Sequence, residues 1–152
     1  MKILITYATN SGSTFLVAQH LQTAAQTQGH EVVVQEISST QPSSFSEYQL
    51  VLLGSPSWDA DGLEGQPHPD FADFMNRNAS LDLAPTKIAV FGLGDKTYHI
   101  FCGAVEHLEK FISDHGGKIV TPSLRIDRFF NDQATAFQQA DAWMAVLLTS
   151  AQ

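Results

Sequence analysis

Short, continuous apolar runs alternate along this chain with longer stretches whose apolar residues recur at helical spacing. Lys2–Tyr7, centred on Ile3-Leu4-Ile5, reads as a first strand. Ser13 to about Gln28, with Val17, Leu21 and Ala24 on one stripe, reads as a helix closed by Gly29. Glu31–Ile37 and Gln49–Gly54 predict the second and third strands, and Lys87–Leu93 the fourth. Runs of this kind suit strands buried on both faces of a parallel sheet. Asp59–Pro69, dense in Gly, Pro and Asp, reads as a loop, and Asp70–Asn78 as a short helix carrying Phe71 and Phe74. Cys102–His115 predicts a helix with Val105, Leu108 and Ile112 inward, stopped at Gly116-Gly117. Lys118–Val120 and Leu124–Ile126 form two parts of a fifth strand, interrupted near Pro122. Asn131–Leu148 closes the chain as a helix with Phe137, Ala140, Trp143, Met144 and Leu147 at helical spacing. The pattern predicts one α/β domain over residues 1–152, a doubly wound five-stranded parallel sheet with helices on both faces.

In such sheets a ligand lies beyond the carboxyl ends of the strands. The turn after the first strand is Thr9-Asn10-Ser11-Gly12-Ser13-Thr14, and it feeds directly into a helix. Free N–H groups and the positive end of the helix dipole attract an anion there. The hydroxyls of Thr9, Ser11, Ser13 and Thr14 add donors, and Gly12 permits close backbone approach. With no Lys or Arg, the turn fails the Walker pattern, and it lacks the spaced glycines of a dinucleotide fingerprint. It suits one terminal monophosphate. The same residues also suit an ordinary Ser/Thr helix cap.

Two further loops on that rim each carry an aromatic residue in a small, polar, Gly-rich setting. They are Gly54-Ser55-Pro56-Ser57-Trp58-Asp59, running on to Gly62, and Gly92-Leu93-Gly94-Asp95 through Tyr98, Phe101 and Cys102. Trp58 or Tyr98 alone would serve as a cover for the sheet end. Together, beside a monophosphate turn, they form a slot for a planar conjugated ring tethered to a phosphate.

Charge and composition narrow the setting. A net charge of -8 opposes nucleic-acid binding and favours basic partners. The single Cys102 excludes an internal disulfide and fits a reducing compartment. The apolar run at the amino end is too short for a signal peptide, and no segment approaches a membrane span, so the expected location is cytoplasmic. The histidines are scattered, with no pair at helix-ligand spacing and no hydrolytic constellation, so neither a metal site nor catalytic residues are expected.

The three loops in this order resemble those of the short-chain flavodoxins, and the resemblance runs the length of the chain. Thr9–Thr14 matches that family's phosphate turn, Gly54–Trp58 its third-strand loop, and Gly92–Ala104 its fourth-strand loop, including Phe101-Cys102-Gly103-Ala104. The resemblance implies strand order 2-1-3-4-5, of which flavodoxin with its FMN is the standard example, and a bound FMN here. It implies that Thr9, Asn10, Ser11, Gly12, Ser13 and Thr14, with Ser57, hold the FMN phosphate, and that Trp58 and Tyr98 cover the two ring faces. Ser55, Pro56, Asp59, Gly62, Gly92, Leu93 and Phe101 complete the implied contacts, and backbone N–H groups of Gly94, Asp95 and Cys102 meet the pyrimidine edge.

It further implies a carbonyl at Asp59 that accepts from the protonated central ring nitrogen. Relatives often have Gly there, so the peptide, once turned towards that nitrogen, is expected to need a positive or near-positive torsion at Asp59, one that Gly would ease. Lys96 is either a cation near the ring edge or a solvated loop lysine. In Leu63–Asp70 the chain departs from the acidic run usual in the family, with two prolines making a stiff lip and His68 read as a plain loop residue. The implied function is a low-potential one-electron carrier, a monomer shuttling between a reductase and acceptor enzymes. The alternative is a small FMN-dependent quinone or nitro reductase.

Overall fold

A computed structural model describes residues 1–152. The first strand, β1 (Lys2–Tyr7), leads to α1 (Ser13–Thr27), then β2 (Glu31–Glu36). Ile37 turns into a short 3-10 segment, which ends the second strand one residue before the sequence pattern suggests. Next come β3 (Leu50–Ala60), β4 (Leu63–Pro67), α2 (Pro69–Arg77) and β5 (Lys87–Gly94). The chain ends with α3 (Gly103–Asp114), β6 (Lys118–Ile119), β7 (Leu124–Asp127) and α4 (Gln133–Ser150).

The parallel sheet runs β2-β1-β3-β5, and β6 and β7 both lie beside β5 as the two parts of the interrupted fifth strand. This is the expected order. Alternate residues of each central strand face opposite layers. Ile3, Ile5, Leu50, Leu52, Ala89 and Phe91 pack under α1 and α4. Leu4, Val51, Leu53, Ile88 and Val90 pack under α2 and α3. Two-sided burial is why these strands read as unbroken apolar runs.

The segment expected to be a loop is instead a hairpin, so the sheet has seven strands in all. The third strand continues to Ala60, pairing with β5 as far as Pro56↔Leu93 and then antiparallel with β4. Asp61 (φ 53°) and Gly62 (φ 81°) make the turn. An Asp-Gly pair is a strong hairpin signal because both central residues of the favoured turn need positive φ. The local density of Gly, Pro and Asp concealed it. The pairing passes from Trp58↔Gln66 to Ala60↔Leu63, so Glu64 and Gly65 oppose Asp59 alone as a bulge on β4.

Candidate functional site

The phosphate-type turn joins β1 to α1 at the carboxyl edge of the sheet. Gly12 precedes the helix at φ 92°, and no side chain caps it. The first helical bond is Leu16 N–H to Gly12 C=O at 3.0 Å, so the N–H groups of Ser13, Thr14 and Phe15 lack helical acceptors. Thr9 does not cap the helix; its Oγ1 accepts the Gly12 N–H at 2.9 Å. No acidic residue lies in the first turn. Thr14 is fully buried, and its Oγ1 has no hydrogen-bond partner. A buried hydroxyl left unpaired is costly, so this one calls for a partner from outside the chain. The ordinary cap reading therefore fails, and the turn fits an anion such as the phosphate of FMN.

A cavity of about 370 Å³ opens beside the turn, lined by Ser13, Pro56, Ser57, Leu93, Gly94 and Asp95. Phe130 and Arg128, from the segment after β7, complete it. Neither belongs to the loops after the first, third and fourth strands that carry the sequence motifs. The rule that ligands lie beyond strand carboxyl ends would have pointed to this segment as well. A larger cavity, about 610 Å³, lies at the opposite sheet edge against Phe45, Tyr48, Leu81 and Pro85. Its charged side chains are already engaged, Asp82 by the Ala84 N–H and Lys87 by the Ala151 carbonyl.

Several expected site residues serve as scaffold. Ser55 is fully buried, donating to the Pro56 carbonyl at 2.8 Å and accepting the His68 N–H at 3.0 Å. Gly92 makes room for α3: a Cβ there would lie 2.5 Å from Val105 Cγ2. Ser57 Oγ accepts the Ala104 N–H at the start of α3 (2.8 Å), which leaves only its hydroxyl hydrogen free to donate. Gly103 is as constrained as Gly92, since a Cβ would lie 2.6 Å from the Gly65 backbone. The hairpin thus presses directly onto the start of α3.

The fourth-strand loop folds on its own polar groups. Asp95 Oδ1 accepts the Thr97 N–H (2.8 Å) and hydroxyl (2.6 Å), and these bonds hold its carboxyl below the ordinary value. The Lys96 N–H donates to Asp127 (2.9 Å), and the Lys96 ammonium lies 5.3 Å from the Phe101 ring centroid. Cys102 takes a left-handed backbone (φ 53°), with its carbonyl accepting from Arg125 at 3.1 Å. Burial pushes its thiol up to about 12, so it is an unreactive thiol.

Glu64 ties the two aromatic loops together. The bulge turns its carboxylate towards the fourth-strand loop, where it accepts the Ile100 N–H (3.1 Å) and faces His99 Nδ1 (3.3 Å). Desolvation works against it, but the bonds from Ile100 and His99 win and hold its carboxyl below the ordinary value.

Trp58 and Tyr98 stand on these loops, 37% and 49% exposed, large apolar surfaces with little protein over them. Asp59 has a role within the hairpin. The positive torsions lie at Asp61 and Gly62, while the Asp59 carboxylate accepts the Gly62 N–H at 2.7 Å and braces the turn. Replacing it by Gly would remove that brace. His68 is also no plain loop residue: it is buried and caps α2, with Nδ1 accepting the Asp70 N–H at 3.0 Å.

A family model described as Flavodoxin matches residues 5–143. The chain is 35% identical over 127 residues to the probable flavodoxin 2 of Bacillus subtilis (strain 168), covering 83% of this chain and 82% of that one. It is 32% identical over 152 residues to a flavodoxin of Nitratidesulfovibrio vulgaris (strain DSM 19637 / Miyazaki F), covering 97% of each. The crystal structure of oxidised flavodoxin 2 from Bacillus cereus superposes with TM-score 0.87 at 31% identity, covering 98% of this chain and 99% of that one. With the phosphate-type turn, the paired aromatic loops and the strand order all in place, the chain belongs to the flavodoxin family.

Proposed function

We propose that this chain binds one FMN non-covalently and carries single electrons between a reductase and acceptor enzymes. The observation that carries the reading is the unpartnered Oγ1 of buried Thr14 at an uncapped helix start. When bound, FMN supplies the one-electron chemistry that the side chains of this protein lack.

The protein's own part is to hold and to tune. The free N–H groups at the start of α1 and the hydroxyls of Ser11, Ser13 and Thr14 grip the phosphate. Trp58 and Tyr98 shield the two ring faces, and backbone N–H groups of Gly94, Asp95 and Cys102 orient the pyrimidine edge. Shielding removes water from the ring, and the net charge of -8 adds like charge, so both disfavour an anionic reduced ring and lower its potential. The rim carries Asp59, Asp61, Glu64, Asp95 and Asp127 against Lys96 and Arg128, a balance that suits a partner presenting a basic surface. A cytoplasmic, monomeric carrier belongs to the same proposal.

Partner dependence tests it. The FMN-loaded protein given NADPH and a quinone or nitro acceptor should show negligible turnover until a flavodoxin reductase is added. Sustained turnover without the reductase would make it a small flavoenzyme instead.

A further inference from the structure

His68 sits between two prolines at the join of β4 and α2, and every polar group of its backbone is engaged. Its N–H donates to Ser55 Oγ at 3.0 Å, and its carbonyl accepts from Phe71 (2.9 Å) and Ala72 (3.1 Å). Pro67 and Pro69 fix the torsions on either side. The ring is held as firmly, because Nδ1 accepts the Asp70 N–H, which leaves the hydrogen on Nε2. The imidazole lies parallel to the Trp58 indole, with an interplanar angle of 9° and ring centroids 5.8 Å apart.

His68 is the ring that packs on Trp58. The direct cross-strand partner of Trp58 is Gln66, and His68 is the diagonal neighbour two residues further on, within reach of an aromatic side chain. The indole is 37% exposed whereas His68 is 9% exposed, so a held, buried ring backs a more exposed one. An N-cap needs only an acceptor, which Ser, Thr, Asp or Asn provides. A flat aromatic acceptor does both tasks.

We propose that His68 is a positioning residue: it stacks behind Trp58 and sets the plane of the indole that covers one face of the flavin. The flavin part rests on the proposed function, whereas the stack itself does not.

Two substitutions separate the tasks. His68→Asn keeps the cap acceptor and removes the ring, and His68→Phe keeps the ring and removes the acceptor. Near-ultraviolet circular dichroism and fluorescence anisotropy in a Trp143→Phe background report Trp58 without FMN, and FMN titration reports the site. We expect His68→Asn to melt only a few degrees lower, lose most of the Trp58 dichroism and weaken FMN binding about five- to tenfold, the scale of one aromatic stack. His68→Phe should melt lower yet restore the Trp58 signal and bring FMN affinity to within about twofold of the parent, as a retained stack requires. An unchanged Trp58 signal and affinity in His68→Asn would overturn the proposal, as would equal losses in both variants. A lost Trp58 signal in His68→Asn, with no FMN binding even by the parent, would uphold the stack and refute the FMN reading instead.

Discussion

Purified protein should bind FMN at least about a hundredfold more tightly than riboflavin, which has the same ring and ribityl chain but no phosphate. Ser13, Thr14 and Phe15 offer N–H groups with no helical acceptor, and neither a side-chain cap nor a first-turn carboxylate competes for them. Hydrogen bonds to a charged group contribute roughly 1.5–3 kcal/mol each. The helix dipole adds roughly 0.3–1 kcal/mol more. Two well-made bonds thus give a difference of at least about 3 kcal/mol, and about 1.4 kcal/mol is a factor of ten. Raising the salt should narrow the difference only modestly, because these donors are fixed dipoles in a partly buried turn rather than mobile surface cations. Flavin fluorescence titration measures both constants. Equal affinities would mean that the turn holds no phosphate.

The second large effect is expected at Thr14, with opposite signs in the free and loaded protein. Thr14 is fully buried and its hydroxyl is unpartnered, so the free protein bears the desolvation of a polar group that gains nothing in return. Such an orphan costs about 1–3 kcal/mol. Thr14→Val keeps the branched shape and removes the hydroxyl. Without FMN the variant should be as stable as the parent or more so, by up to that amount. Loaded, it lacks one charge-assisted bond of about 1.5–3 kcal/mol, so FMN should bind roughly ten- to a hundredfold more weakly. Riboflavin affinity should not change, since no phosphate is there to lose a partner. Denaturant unfolding of the free protein and paired flavin titrations read all three. A destabilised free protein with unaltered FMN affinity would show that the hydroxyl serves the fold and not the ligand.

The parallel sheet was legible because two-sided burial writes an unbroken apolar run, as in Ile3-Leu4-Ile5 and Leu50–Leu53. Helix ends were legible where glycine stops them: Gly29 follows α1 at φ 84° as expected. The β4 hairpin was not, because its strands are short and Leu63 lies exposed on it, so no apolar periodicity marks them. Its only local signal was Asp61-Gly62, which reads equally as loop composition. Within the site, the phosphate-type turn is contiguous in sequence and could be read directly. Arg128 and Phe130 reach the cavity from beyond β7, about seventy residues from Ser57, and proximity of that kind is set by strand order, not by spacing. The roles of Ser55 and His68 were hidden for a related reason. Each is decided by a partner across the hairpin, and a sequence that conceals the hairpin conceals the partner.

The central claim, that this protein moves electrons one at a time, meets its most direct test in an anaerobic spectroelectrochemical titration of the FMN-loaded protein. Two resolved one-electron steps are expected, with the second well below the potential of free FMN because the shielded slot and the acidic field disfavour the anionic ring. One-electron equilibria shift tenfold per roughly 59 mV, so a separation above about 120 mV would leave the intermediate redox level dominant between the steps. A single two-electron step at the potential of free FMN would contradict the claim.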